Sequence, residues 1–132
     1  MSKVRVVAGL LMDRRNRLLC CRRKDKGDLA LKWVLPGGKI KARETHKQAL
    51  KRELKEELEI DAVIGKHFIT IEHKYDTFRL TMYCYLIDDY YGDIKLHDHN
   101  CSLWIDFEDL PYLNWAEADW PIVNKLCKKE AS

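Results

Sequence analysis

The chain has 132 residues, 46% apolar and 34% charged, with a net charge of only +3. That is the size and balance of one globular domain with a single core, and it argues against a disordered, fibrous or membrane-spanning chain. Five cysteines, Cys20, Cys21, Cys84, Cys101 and Cys127, make an odd set with no Cys-x-x-Cys pair. A disulfide framework or zinc ribbon is therefore not expected, and free thiols suit a reducing compartment. The start, MSKVRVVAGLLMDRRNR, is interrupted early by charge, so neither a signal peptide nor a membrane span is expected and a cytoplasmic location follows. The small net charge hides an asymmetry. Residues 1–43 hold 13 Lys and Arg against three Asp, a balance of +10, and the remainder carries −7. A basic half facing a carboxylate-rich half suits a metal-bound polyphosphate, although it would also serve solubility or a nucleic-acid contact.

Val4 to Met12 is an apolar, partly alternating run that predicts a buried strand. Asp13 to Asn16 is a polar turn and Leu18 to Cys21 a second strand, together a hairpin candidate. Arg22-Arg23-Lys24 follow, then a loop from Asp25 to Lys32. Trp33 to Leu35 predicts a short strand before Pro36, which leads into a glycine loop at Gly37-Gly38. The stretch GGKIKARETHKQALKRELKEELEI, residues 37–60, organises the rest. Its second half predicts a helix, because Leu50, Leu54 and Leu58 recur every fourth residue. Glu53, Glu56 and Glu57, at i, i+3 and i+4, lie within about 100° of one another beside that stripe. Like charges at this spacing cost a few tenths of a kcal/mol each unless something positive sits between them, and oxygen ligands suit a hard cation such as Mg²⁺. The plain alternative is a solvated acidic face balanced by Lys47, Lys51, Arg52 and Lys55.

Ala62 to Glu72 is β-prone with an interruption at Gly65. Phe78 to Ile87 predicts a strand with one wetter face, carrying Tyr83 and Tyr85 either as sheet packing or as cleft lining. Asp88 to Asp93 reads as a turn-rich connection. In His97-Asp98-His99 the two histidines flank an aspartate, but residues i and i+2 of a strand point away from i+1 and no third soft ligand follows, so no zinc site is expected. Ser102 to Phe107 predicts a last strand and Glu108 to Pro111 a turn. Asp119-Trp120-Pro121 opens a final helix to Lys129, with Asp119 as a candidate N-cap. No repeat or linker appears, so residues 1–132 are expected to form one α/β domain, a mixed sheet sandwiched between helices.

The spacing Gly38, five residues, Glu44, seven residues, then Arg52-Glu53-Leu54-Lys55-Glu56-Glu57 and a closing Ile60 resembles the signature of the Nudix hydrolases. Trp33 to Ile40 with Glu44-Thr45 resembles the MutT-like branch more narrowly. Three positions depart from the pattern: Arg43 and Glu59 stand where the family usually has glycine, and His46 where it usually has proline. The departure at Glu59 suggests a differently built helix exit. The resemblance implies the Nudix fold and a Mg²⁺- or Mn²⁺-dependent cleavage of a nucleoside triphosphate to the monophosphate and pyrophosphate. It implies that the Gly38 carbonyl and Glu53, Glu56 and Glu57 hold metal, that Glu44 and Arg52 orient these carboxylates, and that Arg23 and Lys39 approach the phosphates. Asp98 aligns with an acidic loop residue that serves as an extra ligand or base, and Asp119 with a base-recognising position. A carboxylate there accepts an amino group, which favours cytidine-type nucleotides. Oxidised nucleotides fit too, in a pool-sanitising role. The rivals are an 8-oxo-dGTP hydrolase, a dinucleoside polyphosphate hydrolase (Tyr75 lies near a tyrosine those enzymes carry) and a non-catalytic nucleotide-sensing module. ADP-ribose hydrolases fit less well, since they carry a proline just past the signature and prolines here occur only at 36, 111 and 121. No membrane or stable nucleic-acid complex is expected, and the chain would be a monomer or homodimer.

Overall fold

Residue alternation along the first two strands decides the architecture. β1 (Ser2–Leu10) sends Val7 into one apolar cluster and Ala8 and Leu10 into another. β2 (Leu18–Arg23) does the same, with Leu19 on the first side and Leu18 and Cys20 on the second. Each cluster is then closed by a helix, so the strands form a layer between two helices. This is a computed structural model, and it describes residues 2–24, 27, 29–95 and 99–131.

The remaining elements are β3 (Trp33–Val34), β4 (Gly37–Lys39), α1 (His46–Leu58), β5 (Asp61–Lys74), β6 (Phe78–Tyr91), β7 (His99–Ile105), 3₁₀ turns at Phe107–Tyr112 and Glu117–Asp119, and α2 (Trp120–Ala131). The strands form two sheets, β4-β1-β6-β5 and β3-β2-β7. The first is mixed: β1 runs parallel to β6, while β4 and β5 are antiparallel to their neighbours. The second is antiparallel.

Two expectations need correction here. β1 and β2 do not form a hairpin beyond a single bridge, Met12 to Leu18, with the Leu19 N–H donating to the Leu11 carbonyl at 2.9 Å. Both sides of β1 are taken by β4 and β6, so β2 is free to build the second sheet. The segment read as a turn after Ile87 is strand as far as Tyr91, because Asp61 to Ile64 pair with it. The interruption expected at Gly65 is real: β5 slips register three times between Val63 and Ile69.

α1 forms where the leucine stripe places it. Leu50, Leu54 and Leu58 are fully buried with Val7, Leu11 and Leu19. Burying each contributes about 1.5–3 kcal/mol. Thr45 and Gln48 form a reciprocal capping box at its start. His46, the first helical residue, stacks on Tyr83 with ring centroids 3.8 Å apart, and its Nδ1 meets the Tyr85 hydroxyl at 2.9 Å. The two tyrosines are therefore packing for α1. At the far end Glu59 takes a left-handed conformation, φ 58° and ψ 37°, and its N–H donates to the Lys55 carbonyl. The exit is built as a glycine would build it, not differently. α2 closes the other face with Ile122, Val123 and Leu126. All five cysteines are free, and Cys20, Cys21 and Cys84 are buried. No helix among the described residues is long and apolar enough to cross a membrane.

Candidate active site

β4 and α1 meet at a contact that only glycine allows. A Cβ on Gly38 would collide with the Glu53 carboxylate, and one on Gly37 with the Val7 carbonyl. Gly37–Lys39 is thus an edge strand pressed on β1 rather than the open loop expected from its sequence. Around this contact the charged residues of the motif lock together. Arg52 donates through Nε and Nη2 to the two oxygens of Glu44, at 2.7 and 2.9 Å. Its Nη1 reaches Glu53 at 2.9 Å and Glu56 at 3.3 Å, and Nη2 also donates to the Lys39 carbonyl. The bidentate Arg52 pair holds the Glu44 carboxyl down at about 2. The Lys41 N–H adds to this by donating to Oε1.

Glu57 turns the other way. It is 8% exposed and lines a cavity of about 240 Å³ together with Gly37 and Gly38. Val6, Ala8, Leu80 and Met82 form the floor of that cavity, Arg23, Leu29 and Tyr75 also line it, and Asp119 reaches it from the turn before α2. Asp119 is 3% exposed, and its Oδ2 accepts from the Leu35 N–H at 2.9 Å. That bond ties the turn before α2 to Leu35, just past β3. Burial pushes its carboxyl up to about 7, against the lowering effects of the Leu35 N–H and the Arg23 charge. The Ala118 N–H donates to the Tyr75 hydroxyl at 3.1 Å and fixes that ring in the wall.

The structure thus gathers Gly38, Glu44, Arg52, Glu53 and Glu56 at one junction, and Gly38, Glu57, Arg23 and Asp119 on one cavity. Lys39 is apart: its side chain is exposed and does not line the cavity. Asp98 and His97 lie outside the described residues, while His99 begins β7 paired with Arg23. Leu80, Met82, Leu29 and Ala116 are among the cavity residues the motif does not reveal. The first two were legible only as the apolar half of an alternating strand.

The donors at the junction are all oxygen, carboxylates plus a backbone carbonyl, which fits a hard divalent cation. Glu53, Glu56 and Glu57 do not close to within 4.8 Å of one another as the exposed trio Asp106, Glu108 and Asp109 does. Arg52 holds two of them, and Glu56, half exposed, is at liberty to turn.

Comparison with known proteins finds relatives along almost the whole chain. A family model described as the NUDIX domain matches residues 2–126. The CTP pyrophosphohydrolase of Escherichia coli K12 is 29% identical over the whole chain and 97% of its own length. The 8-oxo-dGTP diphosphatase of Buchnera aphidicola subsp. Schizaphis graminum is 31% identical, over 97% of this chain and 96% of its own. The solution structure of the E. coli ORF135 protein superposes with a TM-score of 0.86 at 28% identity, covering 99% of this chain and 93% of that one.

Proposed function

The chain belongs to the Nudix family, and from that premise we propose that it is a nucleoside triphosphate pyrophosphohydrolase that prefers bases presenting an amino group. One observation carries the reading: a single cavity is lined both by Glu57 with the paired glycines and by the buried acceptor Asp119. A metal-bound triphosphate at one and a base at the other would use the same enclosure. Arg23 lines the same cavity and supplies positive charge to the phosphates. Gly38, Glu53, Glu56 and Glu57 would hold Mg²⁺ or Mn²⁺, with Asp98 as a further ligand or base. When bound, such a cation supplies charge to the phosphate oxygens and makes water a better nucleophile. Phosphoryl transfer asks little covalent chemistry of a protein, so the chain's own work is positioning. Arg52, itself held by Glu44, orients Glu53, the floor of Val6, Ala8, Leu80 and Met82 excludes water, and Asp119 accepts a hydrogen bond from an amino group on the base edge.

The relatives' names include a CTP pyrophosphohydrolase and 8-oxo-dGTP diphosphatases, and Asp119, which only accepts when ionised, favours the cytidine side of that pair in its carboxylate form. The test is a panel of dCTP, a modified dCTP, dUTP and 8-oxo-dGTP with Mg²⁺ or Mn²⁺, scored for pyrophosphate. The expected result is pyrophosphate and monophosphate, fastest from the cytidine-type substrates. A wide preference for 8-oxo-dGTP would replace the substrate class. Nucleotide binding without hydrolysis would make the chain a sensing module.

A further inference from the structure

A second basic feature lies on the opposite side of the β4-β1-β6-β5 sheet from the cavity. Lys3 pairs with Arg79 across β1 and β6, and Arg79 pairs with Lys74 across β6 and β5. Directly paired residues share a face, so three cations stand in a row across three strands, spanning about 10 Å. Two residues along β1, on the same face, Arg5 extends the row toward α1. All four are exposed, and among the described residues none of them enters an ion pair. Like charges directly opposite one another in a sheet are destabilising, so the fold bears a cost here that a bound anion would relieve. Lys3, Lys74 and Arg79 line a cavity of about 340 Å³ with Thr81, whose hydroxyl adds a polar contact, and with a single acidic residue, Glu72. None of the residues lining it is Phe, Tyr or Trp.

We propose that the row Lys74-Arg79-Lys3, continued by Arg5, is a docking surface for the phosphate backbone of a single-stranded nucleic acid. A linear row follows successive phosphates, whereas a single small polyphosphate calls for converging donors. The rings beside the row are engaged within the protein, His73 with Tyr75 and Glu117 and Tyr83 with His46 and Arg5, so no base preference is expected. The contact is weak and salt-dependent, not a stable complex. Neutralising about three phosphates of a single strand gives a log K against log salt slope of about −2, so binding weakens roughly 20-fold between 50 and 200 mM salt.

The experiment is fluorescence anisotropy of a labelled oligothymidylate with the full chain in EDTA, over a salt series. The expected slope is about −2 for the parent. The triple variant Lys3→Ser, Lys74→Ser, Arg79→Ser should bind about tenfold or more weakly at low salt and lose most of the slope. Glu72→Gln should bind more tightly than the parent. Arg23→Gln, in the other cavity, should leave oligonucleotide binding unchanged. The triple variant should also match the parent in nucleotide hydrolysis and melt no earlier than it, which separates lost docking from lost folding. Equal binding by parent and triple variant, or binding that Arg23→Gln abolishes, would overturn the proposal. So would binding of inorganic tripolyphosphate, but not the oligonucleotide, at this row.

Discussion

Glu53 sits among groups arranged to hold a carboxylate. The Arg52 guanidinium donates to it, and Gly38 leaves room for its carboxylate. Glu53→Gln preserves shape and an acceptor for Arg52 but removes the charge. Pyrophosphate release should fall by about two or more orders of magnitude while the thermal midpoint scarcely moves, and hydrolysis at the parent rate would remove Glu53 from the chemistry. Asp119 answers to pH as well as to substrate. Its folded pKa, about 7, lies above the ordinary carboxylate value of 3.8. The raised pKa therefore contributes stability that is complete below the unfolded value and is lost as pH rises through about 7. Asp119→Asn cannot ionise yet can still accept from Leu35. The stability difference between parent and variant should shift against the parent by up to about 1.4 kcal/mol per pH unit across that window, read from urea midpoints. A pH-independent difference would show that the carboxyl stays charged throughout. The charged half of the site was legible because Arg52, Glu53, Glu56 and Glu57 share one helix and Glu44 stands at a fixed spacing before it. Leu80 and Met82 were not, since side chains that line a cavity and side chains that fill a core are chemically the same.

The helix α1 is the element best written in the sequence, through its leucine period and the capping pair Thr45 and Gln48. Its exit carries a cost. A left-handed backbone costs an ordinary residue about 1–2 kcal/mol, and Glu59 accepts it where glycine would not. Glycine in turn loosens the unfolded chain by about 0.4–1 kcal/mol. Glu59→Gly should therefore stabilise the protein by up to about 1 kcal/mol in denaturant titration. A clear loss of stability would mean that the Glu59 side chain contributes more than its backbone costs. Elements without a period were harder to see. Gly37–Lys39 is too short and too glycine-rich to announce a strand, and it pairs only because β1 offers an edge beside α1. Alternation in Val4 to Met12 gives the faces of β1 correctly but is silent about partners, which is why the β1–β2 hairpin was expected and two sheets were found.

For the whole molecule, the layering of helix, sheets and helix follows from composition and alternation, while the division into two sheets depends on which strands occupy the two edges of β1. The lasting partner of Ser2 to Leu10 is Phe78 to Leu86, in parallel. That pairing has a consequence for synthesis on the ribosome. β1 is made well before β6, with five elements between them. At 5–20 residues per second the first strand waits on the order of several seconds for its neighbour. Gly37 to Lys39 can pair with Val6 to Ala8 in the meantime, but the other edge of an apolar strand stays open to any passing β-segment. A nascent chain of this protein is thus most exposed to association with its copies between the completion of α1 and the completion of β6, and the hairpin of β5 with β6 closes that interval by delivering the missing edge.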